Sequence, residues 1–152
     1  MARQSAGAPK PDTTKGVIPE GVWVLNVARS RKLNPAEHIL WIIRDDGLQL
    51  AFVSVELDAE GKLAISSWNG LYNGDPVEVS GTGMMAQIRS DRPGEIVTSG
   101  TMPGLGDFVE RGRVIDGGRR LLCDGEVSTP DGILTYVEDF DWVSPGFPGA
   151  GG

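Results

Sequence analysis

The chain has 152 residues, enough for one domain with a real core, and its hydrophobic and charged fractions, 39% and 23%, are those of an ordinary globular protein. The net charge of −7 is uneven: residues 1–35 carry six bases against two acids, and residues 36–152 carry eight against nineteen. An acidic body repels phosphate backbones, which excludes nucleic acid as an expected partner, and no run reaches the roughly eighteen apolar residues of a helical membrane span.

The first 17 residues, rich in Pro, Ala, Gly, Ser and Thr, are predicted to be a disordered lead-in. They carry no apolar h-region, so no secretory signal is expected. The single Cys123 allows no internal disulfide, and the cytoplasm is the expected location. From residue 18 to residue 143 the pattern is strand, turn, strand. Strands are predicted near 21–27, 38–44, 47–57, 62–69, 76–80, 83–89, 94–100, 107–115, 119–127 and 132–142. Turn signals separate them: "DDG", "DAEG", "NGDP", "DRPG", "DGG" and "TPDG". Only "RSRKLNPAE" (29–37) is open to a short helix or a long loop. Residues 144–152, broken by Pro and Gly, are predicted to form a flexible tail.

About ten strands with no amphipathic helix between them cannot form a parallel sheet, which needs such crossovers. The expected fold is all-β: a single antiparallel up-and-down barrel of about eight to ten strands, with a two-sheet sandwich as the alternative.

Several motifs carry a resemblance. "GVWVLNVARSR" resembles the G-x-W-x-L-N-x-x-x-S opening of the small bacterial lipocalin-like proteins, related to the calycin barrels. "DDGLQLAFVSVELDAEGK" is similar to their second hairpin, "NGLYNGDPVEVSGT" to their Y-x-G-x-x-x-P-V segment, and "GRVIDGGRRLLCDGEVSTPDG" to their penultimate hairpin. The resemblance covers roughly residues 21–142. It implies a lipocalin-like barrel enclosing a hydrophobic small molecule, or an enzyme reusing that cavity. It also implies that Trp23 closes one barrel end. The basic residue that covers this tryptophan in calycins has no counterpart here, since no Lys or Arg follows Arg120.

Metal and nucleophile chemistry lack parts. His38 is the only histidine and Cys123 the only thiol. No G-x-S-x-G elbow occurs, and no helix follows the glycine clusters to hold a phosphate. No metal and no cofactor are expected. The aromatic and thioether residues Trp23, Trp41, Trp68, Met84, Phe108, Phe140 and Trp142 are either plain core or the wall of a lumen around a flat apolar ligand.

The stretch "LTYVEDFDW" (134–142) raises the sharpest question. Its period-two pattern puts Glu138 on the same face as Tyr136 and Phe140, where an unpaired carboxylate is costly. His38 and Arg44 likewise stand beside Leu40 and Ile42. Either these stripes face out, or a bulge flips Glu138 to solvent, or Glu138 is the polar anchor of an apolar pocket. In the last case Glu138, Tyr136 and His38 are the candidate proton carriers, and Arg44 joins the ligand-binding set. The leading expectation is binding of a small hydrophobic or aromatic molecule in the lumen, with a homodimer left open. The alternative is a cofactor-free lyase, isomerase or cyclase acting on a small aromatic or unsaturated carbonyl compound by general acid/base catalysis. A structural domain whose barrel is filled by its own side chains is the third.

Overall fold

The computed structural model describes residues 8–146. Its ten strands are β1 (Gly21–Leu25), β2 (His38–Asp45), β3 (Gln49–Leu57), β4 (Leu63–Leu71), β5 (Val77–Glu78), β6 (Met85–Arg92), β7 (Glu95–Met102), β8 (Gly106–Ile115), β9 (Arg120–Thr129) and β10 (Gly132–Ser144). Each of the ten predicted strands is present, with its ends moved by a few residues. The segment left open as helix or loop is a loop, preceded by a 3-10 turn at Val27–Arg29 that Asn26 caps by accepting from the Arg29 N–H.

Among the described residues all nine strand ladders are antiparallel, and the order is β4-β3-β2-β1-β10-β9-β8-β7-β6-β5. The first and last strands thus lie side by side in the middle of the sheet, and the sheet curls until its edges meet. At that seam the Ser80 N–H donates to the Ser67 carbonyl at 2.8 Å and the Trp68 indole to the Val77 carbonyl at 3.0 Å. Tyr72 forms an isolated bridge with Ile88. The result is a nearly closed up-and-down barrel, as expected, and not a sandwich.

Alternation decides which side chains enter the barrel. On β8, Phe108, Glu110, Gly112 and Val114 face in, while Val109, Arg111 and Arg113 face out. On β10 the inward row is Tyr136, Glu138, Phe140 and Trp142. Asp139 faces the other way and is still buried, because Arg29 and Arg120 both close over it. Their shortest contacts to its oxygens are 3.0 and 2.6 Å. Burial raises the Asp139 pKa, but the hydrogen bonds from Arg120 and Arg29 win and hold it below the usual carboxylate range. The pair Asp139 and Asp141 is therefore part of an ion-pair cluster with Arg29.

One barrel end is shut by a strap, residues 15–20. The Asp45 carboxylate accepts from the N–H groups of Val17 and Ile18 at 3.1 and 2.9 Å, and from the Tyr72 hydroxyl at 2.6 Å. Two indoles hold the next two carbonyls: Trp23 donates to Pro19 and Trp142 to Glu20, each at 3.0 Å. Glu20 in turn accepts from Lys15, Arg44 and the Asp45 N–H. Ile18, Ile43, Leu50, Ile88, Ile96 and Leu121 complete the core at this end. The boundary expected at residue 18 consequently falls inside the strap, since Lys15 and Val17 are already docked. Ser144 still belongs to β10, paired with Val22. Residues 8–14 of the expected lead-in are described and form no helix or strand, Thr14 donating to the Asp12 carboxylate, while residues 1–7 and 147–152 lie outside the described residues.

Candidate functional site

Above this packed end the barrel encloses a cavity of about 510 Å³. Its wall is mostly apolar. Trp41, Phe52 and Trp68 contribute a run of tilted rings across β2, β3 and β4, with centroids 5.7 and 6.3 Å apart. Met84, Met102 and Phe108 face them from the other half. The cavity reaches solvent at the end opposite the strap, where Leu33 and Leu105 both line it and remain 44% exposed. The loop before β2 forms part of this mouth through Leu33, Asn34 and Pro35. Asn34 is fixed there by donating its amide to Glu56 and accepting from the Ala36 N–H.

Three carboxyl groups border the cavity: Glu56, Glu110 and Glu138. Glu110 and Tyr136 are paired across β9, the Tyr136 hydroxyl donating to Glu110 Oε1 at 2.9 Å. Gly125 makes this possible. It stands opposite both Glu110 and Tyr136 in the ladders, and a Cβ there would lie 2.4 Å from the Tyr136 ring. An unsubstituted β9 position lets the phenol lie flat across the strand and reach the acid.

Glu138 sits one inward position further along β10, opposite Cys123. Burial, and then the neighbouring Glu110 and Glu56, push its pKa up to about 8, with Lys32 opposing. Glu110 is raised as well, by burial above all, although the Tyr136 hydrogen bond works against the rise. The Tyr136 phenol and the Cys123 thiol are pushed up by burial and by Glu110, so both stay protonated at neutral pH. The site therefore offers apolar and aromatic walls, two carboxyls that accept hydrogen bonds, Glu110 and Glu56, and a third, Glu138, that among the described residues receives none.

The other candidate residues divide into three groups. Trp41, Trp68, Met84 and Phe108 line the cavity together with Tyr136 and Glu138. Trp23, Phe140 and Trp142 do not. Trp23 and Phe140 are 0% exposed, Phe140 lies stacked under Trp41 at 3.9 Å, and Trp23 and Trp142 grip the strap. They are structural supports of the wall, which corrects their assignment to ligand contact. His38 and Arg44 face outward. On β2 the inward row is Ile39, Trp41, Ile43 and Asp45, which leaves both basic residues exposed and Arg44 paired with Glu20 at 2.9 Å. Neither can serve the lumen, and His38 is no second proton carrier there.

Glu56, Glu110 and Asp45 were missed. Glu110 carries the same signal that singled out Glu138, a carboxylate in register with Phe108 and Val114, but the charges on both faces of "DFVERGRV" obscure it. Among the described residues, no group of three or more His, Cys, Asp or Glu is placed to hold a metal ion. Among the described residues, no helix is long and apolar enough to cross a membrane.

No family model matches the chain, and no curated protein matches it. A solved structure does: the zebrafish ileal bile acid-binding protein complexed with cholic acid. The similarity covers 82% of this chain and 98% of that one, with a TM-score of 0.53 at 11% identity. At that identity the likeness is one of fold: a nearly closed, up-and-down antiparallel β-barrel, in agreement with the strand order and closure described above.

Proposed function

We propose that the protein binds a small hydrophobic or aromatic molecule inside its barrel. The observation that carries this reading is the unfilled lumen of about 510 Å³, apolar-walled and open at one end. A volume of this order suits a ligand of drug or lipid size, and a wall of aromatic and thioether side chains adapts to flat or flexible apolar bodies. A barrel packed by its own side chains would leave no such space. The zebrafish neighbour, which holds cholic acid, and the motif resemblance to small lipocalin-like proteins support the same use of the fold.

The test is direct. N-phenyl-1-naphthylamine, a neutral apolar fluorophore, should bind with micromolar affinity, brighten, and quench the emission of Trp41 and Trp68. Thr98→Phe places a ring in the lumen, since Thr98 lines it, and should weaken binding about tenfold or more. Absence of probe binding, or equal binding by the filled variant, overturns the reading.

A further inference from the structure

The polar lining of the lumen is one-sided. It contains Glu56, Glu110 and Glu138, and none of the lining residues, among the described residues, is Lys, Arg or His. The nearest basic side chain at the mouth, Lys32, is turned to the Asn34 carbonyl at 2.9 Å. Building on the reading above, we propose that the lumen selects organic cations: an apolar or aromatic body ending in an ammonium group, with Glu138 as the residue that receives the charge.

Three considerations lead there. An anionic amphiphile entering this lumen finds no Lys, Arg or His on the described wall to neutralise its charge, only Lys32 at the mouth, and an unpaired charge taken out of water is costly. A neutral ligand avoids that penalty but brings no charge for Glu138, which among the described residues receives no hydrogen bond. A cation removes both problems, and its apolar body lies against Trp41, Phe52 and Trp68, whose ring faces attract positive charge. Glu138 is the receiver because Glu110 already accepts from Tyr136 and Glu56 from Asn34.

The groups facing Glu138 give the proposal a pH signature. They are Glu110 from β8, Cys123 from β9, Tyr136 on its own strand, Glu56 from β3 and Lys32 from the mouth loop. Cys123 and Tyr136 stay protonated near neutrality, and the Glu110–Glu138 pair titrates as a unit. In the free protein Glu138 holds its proton up to about pH 8. A permanent cation favours the ionised form, so its binding expels a proton. Its affinity should then rise with pH, by up to about tenfold per unit, and level off above pH 8.

The experiment uses three decyl compounds below their micellar concentrations as competitors for bound N-phenyl-1-naphthylamine: decyltrimethylammonium, decanol and decanoate. The cation should compete at least about tenfold better than decanoate, with decanol between them, and only the cation should strengthen from pH 6 to pH 8. Glu138→Gln should lower the ratio of cation to decanol affinity about tenfold and flatten its pH dependence, whereas Glu126→Gln on the outer face of β9 should change neither. Circular dichroism establishes that each variant is folded, and Glu110→Gln replaces Glu138→Gln if the latter is not. Decanoate competing as well as the cation overturns the selectivity while probe binding still upholds the lumen. A Glu138→Gln ratio unchanged from the parent overturns the assignment of Glu138. No binding of the probe and no heat from the cation would remove the lumen reading itself.

Discussion

The two ends of the barrel are made of the same strands and do opposite work. At the strap end the buried polar side chains are partnered: Asp45, 1% exposed, accepts from two backbone N–H groups and a phenol, and two indoles donate to two carbonyls. At the mouth, half-exposed apolar side chains such as Leu33 and Leu105 line space rather than fill it. Glu138 lies between these regimes. The difference shows how a small barrel stays folded around a hole: satisfied polar contacts and full packing are concentrated at one end, and the other keeps apolar surface for a guest.

The sharpest way to break that comparison is at Asp45. Asp45→Ala strands the N–H groups of Val17 and Ile18 and the Tyr72 hydroxyl in a buried site, so urea unfolding should show a loss of about 3 kcal/mol. A loss below about 1 kcal/mol would mean that the strap is not what holds this end. Glu138 should behave in the opposite sense. Its folded pKa of about 8 lies above the ordinary 4.5, so the native state holds a proton that the unfolded chain has released between those values. Stability contributed there is complete at acid pH and declines as pH rises from about 4.5 to 8. Glu138→Gln should thus be more stable than the parent at pH 8, by about 2 kcal/mol, with the advantage gone by pH 4.5. Melting curves across that range check it, and a variant less stable at every pH would refute the buried acid. The smallest effects belong to the mouth: Leu33→Ala or Met84→Ala should change stability by less than about 1 kcal/mol and still weaken probe binding about threefold. Equal losses of stability at both ends would erase the distinction.

These two ends were also unequally readable. Strand existence was legible everywhere, because hairpins advertise themselves through turn residues such as "DAEG" and "DRPG" between alternating runs. The shared face of β10 was legible too, since Tyr136, Phe140 and Trp142 mark it strongly enough to expose Glu138 as an exception, but whether that face turned inward was left open. On β2 the same logic failed. Ile39, Trp41 and Ile43 face in, but Leu40 and Ile42 make the outer face equally apolar, so parity alone could not assign His38 and Arg44. The strap had no signal at all: "KGVIPE" has no periodicity, and its structure comes from a hydrogen bond to nearby Trp23 and from hydrogen bonds to residues 45 and 142, which are distant in sequence. The pairing of Tyr136 with Glu110 depends on a glycine one strand away, which becomes meaningful only once the register is known.

The sheet order has a kinetic side. Among the described residues, eight of the nine ladders join strands that follow one another along the chain, and these can zip as local hairpins on the microsecond scale. The ninth, β1 with β10, joins Val22 to Ser144 and Leu25 to Phe140. It repays its loop-closure entropy only after almost the whole chain is in place. Substitutions confined to that ladder should therefore speed unfolding and leave the folding rate nearly untouched, so β1, one of the shortest strands, acts as the latch of the barrel.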